Sequence, residues 1–142
     1  MKEFTRRKFV KNTGIATGSV LGFPAIVSGQ NLNSKIRVAC IGVGGKGSSD
    51  TDNAAREGGE IVALCDIDRN MIKRKAGKFP KAKQYQDFRK LLEEMENQID
   101  AVTVSTPDHC HGVAAITAMA MGKHAYVQKP LAQTVWESRI MR

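Results

Sequence analysis

Cysteine is scarce in this 142-residue chain, and the three that occur, Cys40, Cys65 and Cys110, include no CxxC pair. An odd number without that spacing argues against a disulfide framework and against a zinc knuckle. Cys40 and Cys65 lie inside apolar runs and read as small buried hydrophobes. Aromatics are also few, 6% of residues, and do not group with the cations. This weakens the nucleic-acid reading that a formal net charge of +8 invites. The charge is unevenly spread as well: residues 1–30 hold five Lys or Arg against one Glu, leaving seventeen against thirteen for the rest. The densest cationic run, Lys73, Arg74, Lys75, Lys78, Lys81 and Lys83, reads as a solvated helix and loop. No internal repeat or low-complexity segment occurs, and no apolar run is long enough for a permanent membrane span. What remains, 42% hydrophobic and 25% charged residues, is the balance of one ordinary globular domain.

The amino terminus reads Thr5-Arg6-Arg7-Lys8-Phe9-Val10-Lys11, followed by an uncharged, mildly apolar stretch from Gly14 to Val27. This resembles a twin-arginine export signal, with Val10 in place of the usual Leu. The small residues around Val27-Ser28-Gly29 suit a cleavage site. Residues 1–30 are therefore expected to be a signal peptide addressed to the twin-arginine export machinery, and the mature protein to be periplasmic or otherwise extracytoplasmic.

From Lys35 onward, short apolar runs alternate with helical patterns, the rhythm of βαβ units and a parallel sheet. Strands are expected over Ile36 to Ile41, Ile61 to Cys65, weakly at Gln84 to Tyr85, Ala101 to Ser105 and His124 to Val127. Helices are expected over Gly45 to Glu57, Arg69 to Lys78, Asp87 to Asn97 and Asp108 to Met121. Gly58-Gly59, Pro80 and Gly122 stop three of them, and Asp108 is placed to cap the fourth. A six-stranded doubly wound sheet needs one more strand, whereas the chain stops at Arg142 within an amphipathic pattern over residues 133–142. The expectation is a Rossmann-type α/β domain over residues 35–142, truncated before its last strand and before a carboxyl-terminal substrate domain.

The chemistry begins at Gly42-Val43-Gly44-Gly45-Lys46-Gly47. A GxGxxG pattern that follows a strand and opens a helix lets the first glycine make a tight turn, the second admit a pyrophosphate, and the third bring helix and strand together. The pyrophosphate then meets unpaired N–H groups at the helix start. Asp66 ends the second strand 19 positions beyond Gly47, where a carboxylate accepts hydrogen bonds from both hydroxyls of the adenosine ribose and disfavours a 2′-phosphate; NAD is thus expected over NADP. Ile67 and Arg69 follow, with Arg69 placed to lie over the adenine or to pair with Asp66 or Asp68. Gly47 is followed by Ser48-Ser49, not Lys-Ser or Lys-Thr, so this is no P-loop. Two further segments end strands, where ligands of open α/β sheets bind: Ser105-Thr106-Pro107-Asp108-His109-Cys110-His111 and Val127-Gln128-Lys129-Pro130-Leu131. The spacing of His109, Cys110 and His111 points them in different directions on a helix and gives no metal site.

These four segments, GxGxxG, Cys65-Asp66-Ile67-Asp68, Thr106-Pro107-Asp108-His109-x-His111 and Gly122-Lys123-His124-Ala125-Tyr126-Val127-Gln128-Lys129-Pro130-Leu131, occur in an order that resembles the Gfo/Idh/MocA family. The resemblance implies NAD(P) chemistry on sugars, cyclitols and their derivatives. It implies a Thr106-Pro107 turn lining the cofactor with Ser105, His109 and His111 nearby, Gln128 beside it, and Lys129 next to nicotinamide and substrate as the catalytic residue. That family more often has Glu-Lys-Pro, so Gln128 keeps a carbonyl but loses a charge. The main functional expectation is an exported NAD-dependent oxidoreductase, this chain supplying the nucleotide-binding half, with homo-oligomerisation through the absent domain. Twin-arginine export moves folded proteins, so a cofactor bound in the cytoplasm can travel with the enzyme. Two alternatives stand beside it: a glycosidase that uses NAD transiently, oxidising the sugar, eliminating the glycosidic group and returning the hydride; and a non-catalytic dinucleotide-binding or interaction protein.

Overall fold

The computed structural model describes residues 35–142; the twin-arginine leader expected over residues 1–30 lies outside the described residues. Five strands, β1 (Arg37–Ile41), β2 (Glu60–Cys65), β3 (Lys83–Tyr85), β4 (Ala101–Val104) and β5 (His124–Val127), form one parallel sheet in the order β3-β2-β1-β4-β5. Helices α1 (Gly45–Arg56), α2 (Arg69–Ala76), α3 (Phe88–Met95) and α4 (Asp108–Ala120) connect them, and α5 (Val135–Met141) follows β5. This is the Rossmann-like α/β arrangement expected from the alternation of apolar runs.

Successive side chains of a strand point to opposite faces, and β1 is apolar throughout most of its length, so it is buried on both sides. Val38 and Cys40 join Ile61, Leu64 and Ile72 in one core cluster. Ala39 and Ile41 join Cys65, Leu91, Leu92, Val102 and Ala114 in the other. Truncating a fully buried Leu91 to Ala would cost about 2–5 kcal/mol. At the amino-terminal edge, Arg37 closes the sheet with a fork onto Asp100: its Nε and Nη2 donate to the two carboxylate oxygens at 3.0 and 2.6 Å.

Several expected boundaries shift for local reasons. Asp87 stands outside α3 as its N-cap, accepting the Arg89 N–H at 2.9 Å, and the helix closes on a 3₁₀ turn at Glu96–Gln98. Asp108 does not cap α4: it is the first helical residue, while Pro107 holds the cap position and makes no side-chain hydrogen bond there. Helix α2 ends at Ala76, two residues short of the expectation. Lys75 also departs from the solvated reading of its run. Its side chain is 7% exposed and paired with Asp52 at 3.0 Å, and it donates to the Ser48 carbonyl at 2.8 Å, which pins α2 to α1. Among the described residues no helix is long and apolar enough to cross a membrane.

Candidate functional site

The ladder of sheet hydrogen bonds continues one residue beyond four of the strands. Gly42 N–H donates to Cys65 O at 2.8 Å, Asp66 N–H to Tyr85 O at 3.2 Å, Ser105 N–H to Ile41 O at 2.8 Å and Gln128 N–H to Val104 O at 2.9 Å. Ile41 is registered with both Cys65 and Val104, and Val104 with Val127. Asp66, Gly42, Ser105 and Gln128 therefore stand in one row along the carboxyl edge of the sheet. The chain leaves β1 between β2 and β4, where connections depart to opposite faces and open a crevice.

The glycine turn is shaped by contact. Gly42 has φ +81°, and a Cβ on it would lie 2.7 Å from the Ser105 carbonyl oxygen. A Cβ on Gly47 would lie 1.8 Å from the Gly42 carbonyl oxygen, so the first turn of α1 rests directly on the end of β1. Gly44 differs: the nearest atoms a Cβ there would meet are those of the Met71 side chain at 3.2 Å and the Asp66 carboxylate at 3.4 Å, and no backbone stands among them. It faces the crevice.

Asp66 holds this turn in place. Its Oδ2 accepts the N–H groups of Val43 and Gly44, each at 2.9 Å, and its Oδ1 accepts that of Asp68 at 3.0 Å. A carboxylate offers about four lone-pair positions, so three are occupied. One is left for a further donor, such as a hydroxyl of the adenosine ribose.

A cleft of about 630 Å³ runs along the row, and the expected residues Gly42, Gly44, Gly45, Lys46, Asp66, Ile67, Ser105, Thr106, Pro107 and His109 line it. So do Gln86, Asp87, Phe88 and Arg89, which sequence reasoning missed. Their pattern, Asp87 two residues before Arg89 at a helix start, reads as local capping. The Arg89 side chain, donating to the Asp87 carboxyl, holds it down to about 2. Cys65 also borders the cleft, but burial pushes its thiol up to about 12, with the Asp66 and Asp87 charges adding to the effect, so it supplies no thiolate.

The remaining expected residues are placed elsewhere. Val43 contributes its amide, while its side chain is buried in the core. Arg69 opens α2, but its Nε donates to Gln86 Oε1 at 2.6 Å and it pairs with neither Asp66 nor Asp68. His111 does not face the cleft. It is 1% exposed, with Nε2 2.7 Å from the Thr106 carbonyl oxygen and Nδ1 2.7 Å from that of Pro130, so it ties the β4 turn to the loop after β5. Gln128 lies behind the wall, donating to Asp50 at 3.0 Å, and Lys129 is exposed in the loop beyond it. Asp50 was not anticipated at all. Nothing in a helix-interior carboxylate distinguishes it until the fold brings Ser105 and Gln128 to it.

Whether a dinucleotide fits can be judged from unsatisfied groups. Thr106 Oγ1 is buried without a hydrogen-bond partner among the described residues, in the cleft wall. With the remaining lone pair of Asp66 and the bare backbone at Gly44, it provides for hydroxyl and phosphate groups without filling the crevice. Among the described residues no three His, Cys, Asp or Glu gather as a metal-binding group.

Comparison with known proteins agrees with this geometry. Residues 36–141 match the family model described as an oxidoreductase family of NAD-binding Rossmann fold. The chain is 30% identical over 161 residues to a glycosyl hydrolase family 109 protein of Shewanella pealeana, covering 95% of this chain and 35% of that protein. It is 38% identical over 112 residues to an α-N-acetylgalactosaminidase of Shewanella oneidensis, covering 72% of this chain and 24% of that one. Among solved structures it resembles the WlbA dehydrogenase of Bordetella pertussis, crystallised with NADH and UDP-GlcNAcA, at 26% identity and a TM-score of 0.64, over 76% of this chain and 32% of that chain. The chain thus spans between about a quarter and a third of the length of these relatives. It belongs to the Gfo/Idh/MocA oxidoreductase family, and the crevice at the carboxyl edge of its sheet is that of an NAD-binding Rossmann domain.

Proposed function

We propose that this chain is the dinucleotide-holding half of a sugar-active enzyme that borrows NAD within each turnover and returns it unchanged, cleaving a glycoside without net oxidation. The observation that carries the reading is the pairing of an NAD-binding cleft with 38% identity to an α-N-acetylgalactosaminidase, a hydrolytic enzyme. When bound, NAD supplies a carbon able to take a hydride and give it back. The residues of this chain bind and orient. Backbone N–H groups at the start of α1 face the pyrophosphate, Asp66 receives a ribose hydroxyl, and Thr106 Oγ1 gains a partner. Lys129, by resemblance, reaches the nicotinamide edge and the sugar hydroxyl.

A twin-arginine leader at Arg6-Arg7 supports this reading, because an exported enzyme cannot exchange reduced cofactor with the cytoplasmic pool. The protein is then periplasmic or extracytoplasmic, with NAD bound before export. The likeness to a dehydrogenase solved with NADH and a nucleotide sugar favours a second reading, net oxidation of a sugar hydroxyl. Incubating the whole protein with an aryl N-acetylgalactosaminide, without added cofactor, separates them. Release of the aryl group with no growth of the NADH absorbance is expected. Stoichiometric NADH formation, or oxidation of the sugar without release of the aryl group when NAD is added, would overturn the glycosidase reading and leave the dehydrogenase.

A further inference from the structure

Asp50 is 6% exposed, and a buried carboxylate is tolerated only when its lone pairs are filled. Three elements fill them. Lys46, one helical turn earlier, pairs with Oδ1. Ser105 at the end of β4 donates to Oδ2 at 2.8 Å, and Gln128 Nε2 at the end of β5 donates to the same oxygen at 3.0 Å. Burial works against its ionisation, but the hydrogen bonds from Lys46, Ser105 and Gln128 and the Lys46 charge outweigh it and hold the carboxyl below its ordinary range. An ionised carboxylate accepts hydrogen bonds and donates none. The Gln128 amide therefore has one orientation available, with its NH2 on Asp50 and Oε1 turned back to receive the Lys129 N–H at 3.4 Å.

We propose that Asp50 is a positioning residue for Lys129, acting through the Gln128 amide, and that residue 128 is an amide because residue 50 is a carboxylate. A glutamate at that position would set two acceptor-only groups about 3 Å apart, where one must take up a proton or swing away. The negative charge missing from the Gln128-Lys129-Pro130 segment, compared with Glu-Lys-Pro, is held instead on α1. The proposal rests on the reading that Lys129 serves a bound dinucleotide, yet the relay can be tested apart from it.

Four forms of the full chain decide the matter: parent, Asp50→Asn, Gln128→Glu and the double swap, in which an amide at position 50 can donate to a carboxylate at position 128. Backbone hydrogen exchange at Lys129 and NADH affinity by fluorescence titration are read on each. Each single change should speed Lys129 exchange by up to about tenfold, the upper end of the range for one neutral hydrogen bond, and weaken NADH binding. The double swap should restore both to within about threefold of the parent. Should Gln128→Glu not fold, Gln128→Met replaces it; Asp50→Asn and Gln128→Met together should then be no worse than either alone. Additive losses in either cycle would show that Asp50 does not act through Gln128 and would overturn the proposal. If the relay passes the exchange test but no form binds NADH, the function reading fails and the relay stands.

Discussion

Replacing Asp66 with Asn tests how this site chooses its cofactor. The carboxylate is half-buried at the crevice, fixed by Val43, Gly44 and Asp68 N–H groups at 2.9, 2.9 and 3.0 Å. It cannot move aside without releasing three amides. A 2′-phosphate on the adenosine ribose would bring its charge within about 5 Å of Asp66, and each unit of charge would cost roughly 1 to 3 kcal/mol between bulk water and a protein surface. Since a tenfold ratio is about 1.4 kcal/mol, NAD should bind at least about tenfold more tightly than NADP. Asn keeps one oxygen for Val43 and Gly44 but presents an NH2 to the Asp68 N–H, so it should cost only about 0.5–1.5 kcal/mol of stability while abolishing the repulsion. Asp66→Ser should likewise narrow the preference. Reversal is not expected, because Arg69 is engaged by Gln86 at 2.6 Å and would have to give up that bond to reach a phosphate. Dissociation constants for NADH and NADPH, measured by fluorescence titration of parent and variants, are the assay. Equal affinities in the parent, or a tenfold preference surviving Asp66→Asn, would refute the electrostatic reasoning.

Gly47→Ala should unfold the domain or cost more than about 3 kcal/mol, visible as a collapsed melting transition, since its Cβ would sit 1.8 Å from a backbone oxygen. Gly44→Val should melt near the parent yet lose NADH in a titration, because its nearest obstacle is the flexible Met71 side chain. The Arg37 side chain, hydrogen-bonded to Asp100, brings that carboxyl down to about 2 from 3.8. Its contribution to stability is complete above about pH 4 and fades as pH falls through 2, so Asp100→Asn should flatten the acid limb of a denaturation series. Changing Arg6 and Arg7 together to Lys should stop export, read as retention of the precursor in cell fractionation; undiminished export would remove the leader assignment.

The fold was largely legible because a both-faces-buried strand leaves a continuous apolar run and a glycine turn leaves fixed spacing. Residues 36–41 and Gly42-x-Gly44-x-x-Gly47 carry those signals without help from the rest of the chain. What stayed hidden depended on distance in sequence. Asp50 meets Ser105 and Gln128 across separations of 55 and 78 residues, and no local pattern encodes such a meeting. The family resemblance alone places His111 near the cofactor, but a helix turns about 200° over the two residues from His109, and the ring enters the interior instead. Lys75 misled for a similar reason: in a run of cations, only the helix phase selects the one that turns inward to Asp52.

The contact between Gly42 and Gly47 and the three amides gathered on Asp66 have a thermodynamic consequence. The turn is already rigid before any dinucleotide arrives, so binding need not freeze a floppy loop, and the ordering entropy that weakens many ligand sites is largely absent. A prearranged cradle of this kind favours tight binding and slow release, the property that the proposed cofactor-retaining glycosidase would require.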